Sequence, residues 1–331
     1  MNILFVCSGN SKVFTISPFI KSQGDSLESL GNDVDIYLVV GNGIVGYIKN
    51  IPKIISMIKI SKYDIIHAHY SLCGFLVWLT IIINNLKYIF KESNKINIPL
   101  VVSLMGSDII TSKIMLIIIS FFSKYIWSAT IVKSHRMKNI LGDNSVYVIP
   151  NGINLNQFNT KDKIYCKNIL SYNVTSKIIL FGSDPGRPVK NFELAKSSYN
   201  MLLEKKHKTL FPKIELITLG YISHNQIPIY LNACDVVLLT SMWEGSPNII
   251  KEAMACNIPI VCTDVGDVKW LLDGLEGCYI VSQDPIEIAN KLLMALNFNK
   301  KTKGRERIIQ LGLDSKSIAR EIVKVYEKVI N

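Results

Sequence analysis

The stretch Val236-Val-Leu-Leu-Thr-Ser-Met-Trp-Glu244-Gly-Ser-Pro-Asn-Ile-Ile-Lys-Glu252-Ala-Met-Ala-Cys-Asn-Ile-Pro259-Ile-Val-Cys262 decides the fold. Residues 236–239 form a short, continuously apolar run, and so do residues 259–262. Between them Ser246-Pro247 reads as a helix start, with Ser at the N-cap and Pro at the first helical position. That places Glu244 in the loop before the helix and Glu252 in its second turn. Strand, loop, helix and strand in this order make a parallel crossover unit. The apolar runs fit strands covered on both faces.

Outward from this unit the same alternation repeats. Apolar strand candidates fall at 3–7, 35–40, 65–67, 100–103, 130–132 and 147–149, and again at 178–181, 215–219 and 279–281. The intervals between them are long enough to hold helices. The fold class is therefore α/β, with two Rossmann-like, doubly wound parallel sheets. Turn chemistry at Pro150-Asn151-Gly152 sets the boundary, giving an N-terminal domain over 1–152 and a C-terminal domain over 153–314. The last helix, in 315–331, has no strand after it and is free to pack on either domain, including back on the first. Ligands of such sheets bind beyond the carboxyl ends of the strands, so the active site is expected in a cleft with the two sheets facing across it.

The 331 residues, 49% of them hydrophobic, suffice for two cores. The net charge of +11 favours acidic partners. No basic run or nucleic-acid-binding motif accompanies it, so nucleic acid is not an expected partner. Seven scattered cysteines without a Cys-x-x-Cys fit reduced thiols in a cytoplasmic protein. The opening Met-Asn-Ile-Leu-Phe-Val-Cys7 has no basic n-region, so a secretory leader is not expected. Two apolar runs, 74–83 and 114–132, are interrupted by polar residues and read as buried helices rather than spans. Ile51, Ile54, Ile55 and Ile58 share a helical stripe opposite Lys49 and Lys53. It reads either as an interfacial helix at a membrane or as a helix packed on the sheet.

The chemistry-bearing residues lie just after strands. A helix beginning near Ser246 offers free backbone N–H groups to a diphosphate. Glu244 and Glu252 flank that start, although by themselves they read equally as a loop charge and a solvated helix residue. Arg187 and Lys190 follow the strand at 178–181 and present a guanidinium and an ammonium for a phosphate, or else a plain basic loop. His67 and His69, two apart on a strand, share a face. A metal pair there lacks a third ligand, so the favoured reading has one imidazole on substrate and the other packed. Asp108, in Leu104-Met-Gly-Ser-Asp108, reads as a site residue or a helix cap. His135 faces either the cleft or solvent.

The Glu244-to-Glu252 segment resembles the donor-site motif of glycosyltransferase family 4: two glutamates with seven residues between them, Gly245 and Pro247 early, Glu-Ala-Met-Ala late. The layout of nearly the whole chain, and the tail Pro259-Ile-Val-Cys-Thr-Asp-Val-Gly266, are similar to that family too. The resemblance implies the GT-B fold and retaining transfer of a sugar from a nucleotide-diphosphate donor, with no cofactor and no metal. It implies Glu252 on the ribose hydroxyls and Glu244 at the transferred sugar. Gly245, Ser246, Pro247, Asn248 and Ile249 would line the sugar and phosphate pocket, with Arg187 and Lys190 on the leaving diphosphate. Gly9 would lie against phosphates or acceptor, although no second glycine follows it. Tyr221 would stack on the base or lie at the surface. Many resembling proteins carry a His where Met105 stands. Either His67 or His69 substitutes for it, or sugar recognition differs, while Gly106 and Asp108 keep the pattern. The expected acceptor is a saccharide or lipid-linked saccharide in cell-surface polysaccharide or glycolipid biosynthesis. The enzyme would then work in the cytoplasm, with peripheral contact to the inner membrane face. The rivals are a sugar-nucleotide epimerase of the same shape and a non-catalytic nucleotide-sugar-binding protein.

Overall fold

The computed structural model describes residues 1–10, 15–204, 213–220 and 222–331. The chain divides into two compact units, Met1–Gly152 with Ser315–Asn331, and Ile153–Asp314. The first unit runs β1 (Asn2–Ser8), α1 (Pro18–Glu28), β2 (Asp33–Val39), α2 (Gly43–Ile48), α3 (Ile51–Ser61), β3 (Ile65–His69), α4 (Ser71–Lys87), β4 (Leu100–Ser103), α5 (Lys113–Tyr125), β5 (Ala129–Val132), α6 (His135–Leu141) and β6 (Tyr147–Val148). The second runs α7 (Lys163–Ile169), β7 (Lys177–Phe181), α8 (Phe192–Glu204), β8 (Ile214–Thr218), α9 (Ile227–Ala233), β9 (Val236–Leu239), α10 (Asn248–Ala255), β10 (Ile260–Thr263), α11 (Val268–Leu272), β11 (Cys278–Val281), α12 (Pro285–Leu296) and α13 (Gly304–Gln310). The closing helix α14 (Ser315–Ile330) belongs to the first unit.

Each unit holds one sheet whose strand pairs are all parallel. The strand orders are β2-β1-β3-β4-β5-β6 and β11-β10-β9-β7-β8. Both are doubly wound Rossmann-like arrangements in which the winding reverses at one point, between β1 and β3 in the first sheet and between β7 and β9 in the second. Loops at the carboxyl ends of the strands flanking such a reversal diverge to opposite faces and leave a crevice for ligand. The central strands are apolar throughout because both faces are covered: Ile3 to Cys7, and likewise Val236 to Leu239, are fully buried.

Helix α14 shows how the first unit recovers the end of the chain. Ile318, Ala319, Ile322, Val325 and Tyr326 fall on one face at helical spacing and are buried. The helix packs on α1, and the Tyr326 hydroxyl reaches the fully buried His67 Nδ1 at 2.5 Å. Gly152 allows the close approach, since a Cβ there would meet the Ser315 Cα at 2.7 Å.

Two helix readings are settled by packing. On α3, Ile51, Ile54 and Ile58 are buried, so this stripe is core and not an interfacial face. The expectation of a buried helix in 114–132 is corrected in the opposite sense. Of α5 only Ile119 and Ser123 are buried, because Phe122 alone among its large rings turns inward onto Phe75 and Trp78. All seven cysteines are free thiols.

Candidate active site

The crevice between β7 and β9 gathers the residues singled out in the second half of the sequence. After β7 the chain turns through Gly182 to Arg187 and a 3₁₀ turn at Pro188–Lys190. After β9 it passes Thr240 and Ser241 to Glu244. The two loops are stitched together by backbone and hydroxyl bonds. Met242 N donates to Val189 O at 2.9 Å, and the Thr240 hydroxyl donates to Lys190 O and Asn191 O at 3.0 and 2.8 Å. From the next strand, Thr263 Oγ1 donates to Ser241 O at 2.7 Å. These bonds hold both loops from below and leave their tips for a ligand.

At the tips, Lys190 Nζ and Glu244 Oε1 form an ion pair at 2.5 Å, and the Ser241 hydroxyl donates to the same oxygen at 2.7 Å. Both partners are mostly but not fully buried, where a charge pair keeps more of its strength than at the surface. Lys190 and Glu244, expected on separate parts of the donor, therefore act as one unit. Arg187 extends outward; among the described residues its exposed guanidinium makes no hydrogen bond or ion pair. It is the cation of this loop left open to an anion.

Helix α10 starts one residue later than the sequence reading placed it. Pro247 stands at the N-cap, where it offers no side-chain cap to the first backbone N–H groups. Ser246 is not the cap, because its hydroxyl accepts from Lys251 Nζ at 3.1 Å. Lys251 is fully buried, and burial pushes its ammonium down to about 8 against the pull of Asp267 and Glu252. Asp267 is raised by the same burial, with Lys251 and the Ser246 hydroxyl opposing. The loop Gly245-Ser246-Pro247 thus rests on a buried lysine and aspartate. Its backbone lies so close to Gly266 that a Cβ there would meet Gly245 O at 2.7 Å. Ile249 packs onto Gly182, where a Cβ would come within 2.8 Å of its side chain, and Asn248 opens the helix. Glu252, in the second turn, is nearly buried, and its Oε1 faces His224 Nε2 at 3.1 Å.

The residues predicted in the first half are placed differently. His67 and His69 do share a face, with rings stacked 4.4 Å apart. Both are fully buried, which corrects the reading of one imidazole on substrate. His67 is committed within its unit, to Tyr326 and, through Nε2, to Ser103 Oγ at 2.8 Å. His69 lies against Phe5 with no hydrogen-bond partner on either ring nitrogen among the described residues. Burial, then nearby Lys133, holds His67 well below the usual imidazole range; burial, then His67 and Lys133, does the same for His69. Both are neutral at physiological pH.

Asp108 takes a capping role, one of its two readings from the sequence. It is buried and saturated: Oδ1 accepts from Ser71 N and Ser71 Oγ at 2.7 and 2.6 Å, and Oδ2 from Met105 N at 2.7 Å. It anchors its own loop to the start of α4, where a carboxylate also suits the helix dipole. Gly106 supplies the positive φ of that loop, +103°. His135 is exposed at the first position of α6. Gly9 donates to Val39 O at 2.9 Å and packs so tightly on β2 that a Cβ would lie 3.0 Å from Leu38 Cβ. Tyr221 lies outside the described residues. Sequence reasoning missed His224, three residues further along the chain, as well as Ser241, Lys251 and Asp267. Of these only Ser241 and Lys251 stood inside the deciding motif.

Residues 176–297, which carry this whole crevice, match the family model of Glycosyl transferases group 1. The match covers most of the second unit. Relatives point the same way. The Bacillus subtilis protein TuaC, named for a role as a teichuronic acid biosynthesis glycosyltransferase, is 28% identical over 226 residues, 63% of this chain. The aligned part spans 55% of that relative's length. An Escherichia coli enzyme named as a UDP-Gal:alpha-D-GlcNAc-diphosphoundecaprenol alpha-1,3-galactosyltransferase is 22% identical over 311 residues, 83% of this chain and 78% of its own. Among solved structures, Anabaena HepE in complex with UDP-glucose has a TM-score of 0.72 at 16% identity, covering 99% of this chain and all of that one. The matched residues include both glutamates, which lie at the reversal point of the second sheet.

Proposed function

We propose that the chain is a retaining glycosyltransferase that moves a sugar from a nucleotide-diphosphate donor to an acceptor hydroxyl. The observation that carries this reading is the Ser241–Glu244–Lys190 cluster at the mouth of the β7/β9 crevice, beside an uncapped helix start and the buried Glu252. In the reaction the bond from the anomeric carbon to the β-phosphate oxygen breaks, the acceptor oxygen bonds to that carbon, and the acceptor's proton passes to the leaving diphosphate oxygen. Negative charge grows on the leaving diphosphate. The Arg187 guanidinium, the Lys190 ammonium and the first N–H groups of α10 are fixed donors for that charge and need little reorganisation. No metal is needed for this role. Glu244 accepts from the sugar hydroxyls, and Lys190 and Ser241 hold its carboxylate in one orientation. Glu252 accepts from the ribose hydroxyls, with His224 setting its rotamer.

The uridine nucleotides named for the E. coli relative and for HepE make UDP and its sugars the first donors to try. The same relative's name points to a saccharide on a lipid diphosphate as the acceptor class. Such a substrate places the reaction at a cytoplasmic membrane face, within cell-surface polysaccharide or glycolipid synthesis.

The test is thermal stabilisation by UDP, GDP, ADP, CMP and their sugars, for the wild type and Glu252→Ala. One diphosphate should stabilise the wild type and lose its effect in the variant. Equal stabilisation of both would remove Glu252 from the donor site. Ring epimers of the nucleotide sugar formed without acceptor would favour an epimerase instead.

A further inference from the structure

The outward side of α5 is apolar where a surface helix is ordinarily polar. Ile114, Ile117, Phe121 and Tyr125 are 72, 68, 52 and 64% exposed. Their spacing of three and four residues puts them on one stripe. The helix is held from its other side, where Phe122 packs on Phe75 and Trp78 at ring distances of 4.8 and 4.9 Å. An exposed apolar stripe of this kind marks an interaction face.

Charge decides what covers it. The first unit carries 18 Lys and Arg against 10 Asp and Glu, and so most of the chain's net charge of +11. The acid that touches α5, Asp143, is buried and accepts from the Ser123 and Ser145 hydroxyls. Lys113 and Lys124 stand exposed at the two ends of α5. A second copy seated two-fold on this face would bring these like charges together. A surface of lipid phosphates would neutralise them.

We propose that the α5 stripe forms a docking face for an anionic lipid bilayer. At a rise of about 1.5 Å per residue, α5 is roughly 20 Å long, short of the ~30 Å apolar thickness of a bilayer. No helix among the described residues is long and apolar enough to cross a membrane. The helix therefore lies along the interface, with Ile and Phe side chains below the headgroups and its lysines among the phosphates. This deepens the proposed use of a lipid-linked acceptor, and its test needs neither donor nor turnover.

The experiment is co-sedimentation of the full chain with vesicles of phosphatidylcholine alone or mixed with phosphatidylglycerol. The wild type should partition about tenfold more strongly onto the mixed vesicles, and salt should weaken the binding. Ile117→Ser with Phe121→Ser should lose about tenfold or more of that binding, at unchanged Tm and unchanged stabilisation by a nucleoside diphosphate. Lys113→Gln with Lys124→Gln should lose the phosphatidylglycerol preference. A wild type that stays in the supernatant with both vesicles, or a double serine variant that partitions like the wild type, overturns the proposal. So does a dimer in sedimentation velocity that the serine variant converts to monomer, which would assign the face to a second copy.

Discussion

At the carboxyl end of β3 the polar residues are shut away: His67 is hydrogen-bonded to Tyr326 and Ser103, and His69 is buried beside it without a partner among the described residues. At the carboxyl ends of β7 and β9 they are paired but reachable, with Lys190 on Glu244 and Arg187 extended. Both sets occupy the ligand end of a doubly wound sheet. Position in a fold therefore does not confer function by itself. A titratable side chain with part of its surface open and an opposite charge beside it can exchange partners with a ligand. One that is fully buried, like His67 and His69, has no open surface with which to meet a ligand.

The contrast is broken most severely at Glu244. Glu244→Gln should lower kcat/KM by about a hundredfold or more, since it removes an ion pair and an acceptor at the reacting sugar. Its Tm should stay near the wild-type value. A near-normal rate would make the cluster architectural, like that of His67.

The next test concerns Lys251. Its folded pKa of about 8 lies below the ordinary value of 10.5. Between these pH values the unfolded chain holds a proton that the folded chain has lost, so stability from this group rises with pH. The difference in unfolding free energy between wild type and Lys251→Met should climb by about 3 kcal/mol from pH 8 to 10.5. A flat difference in denaturant titrations would mean that the buried ammonium is fully compensated.

In the first unit the sign is examined from the acid side. His67 and His69 are depressed in the folded state, so below about pH 6.5 the unfolded chain binds protons that the folded chain refuses. Stability should fall there by up to about 1.4 kcal/mol per pH unit for each histidine. His69→Leu should halve that slope. Tyr326→Phe should cost about 1–3 kcal/mol by leaving His67 Nδ1 unpartnered, with nucleotide binding unchanged. If Tyr326→Phe instead weakened nucleotide binding, the separation drawn between the two sites would fail.

The smallest effect is expected at His224. His224→Ala should weaken nucleoside-diphosphate binding about tenfold, by freeing Glu252, and His224→Gln should recover part of it. Equal affinity in all three proteins, read by calorimetry, would leave Glu252 positioned by its helix alone.

The strands of both sheets were legible in the chain because a strand covered on both faces must be apolar along its whole length. The loop with Glu244 and the helix with Glu252 were legible because turn and helix-start chemistry are local. Pairings across many residues were not. Lys190 meets Glu244 across 54 residues, His224 meets Glu252 across 28, and Tyr326 meets His67 across 259. Nor did periodicity tell which apolar stripe would be covered. The stripe of α3 and the stripe of α5 look alike in the chain, yet one is core and the other faces solvent. The sequence by itself determined the elements, their order and the motif of the donor site, since these depend on neighbours within a few residues. Only the tertiary structure decided which charges pair, which histidines close and which helix stays open, because burial depends on what the rest of the chain lays against each face.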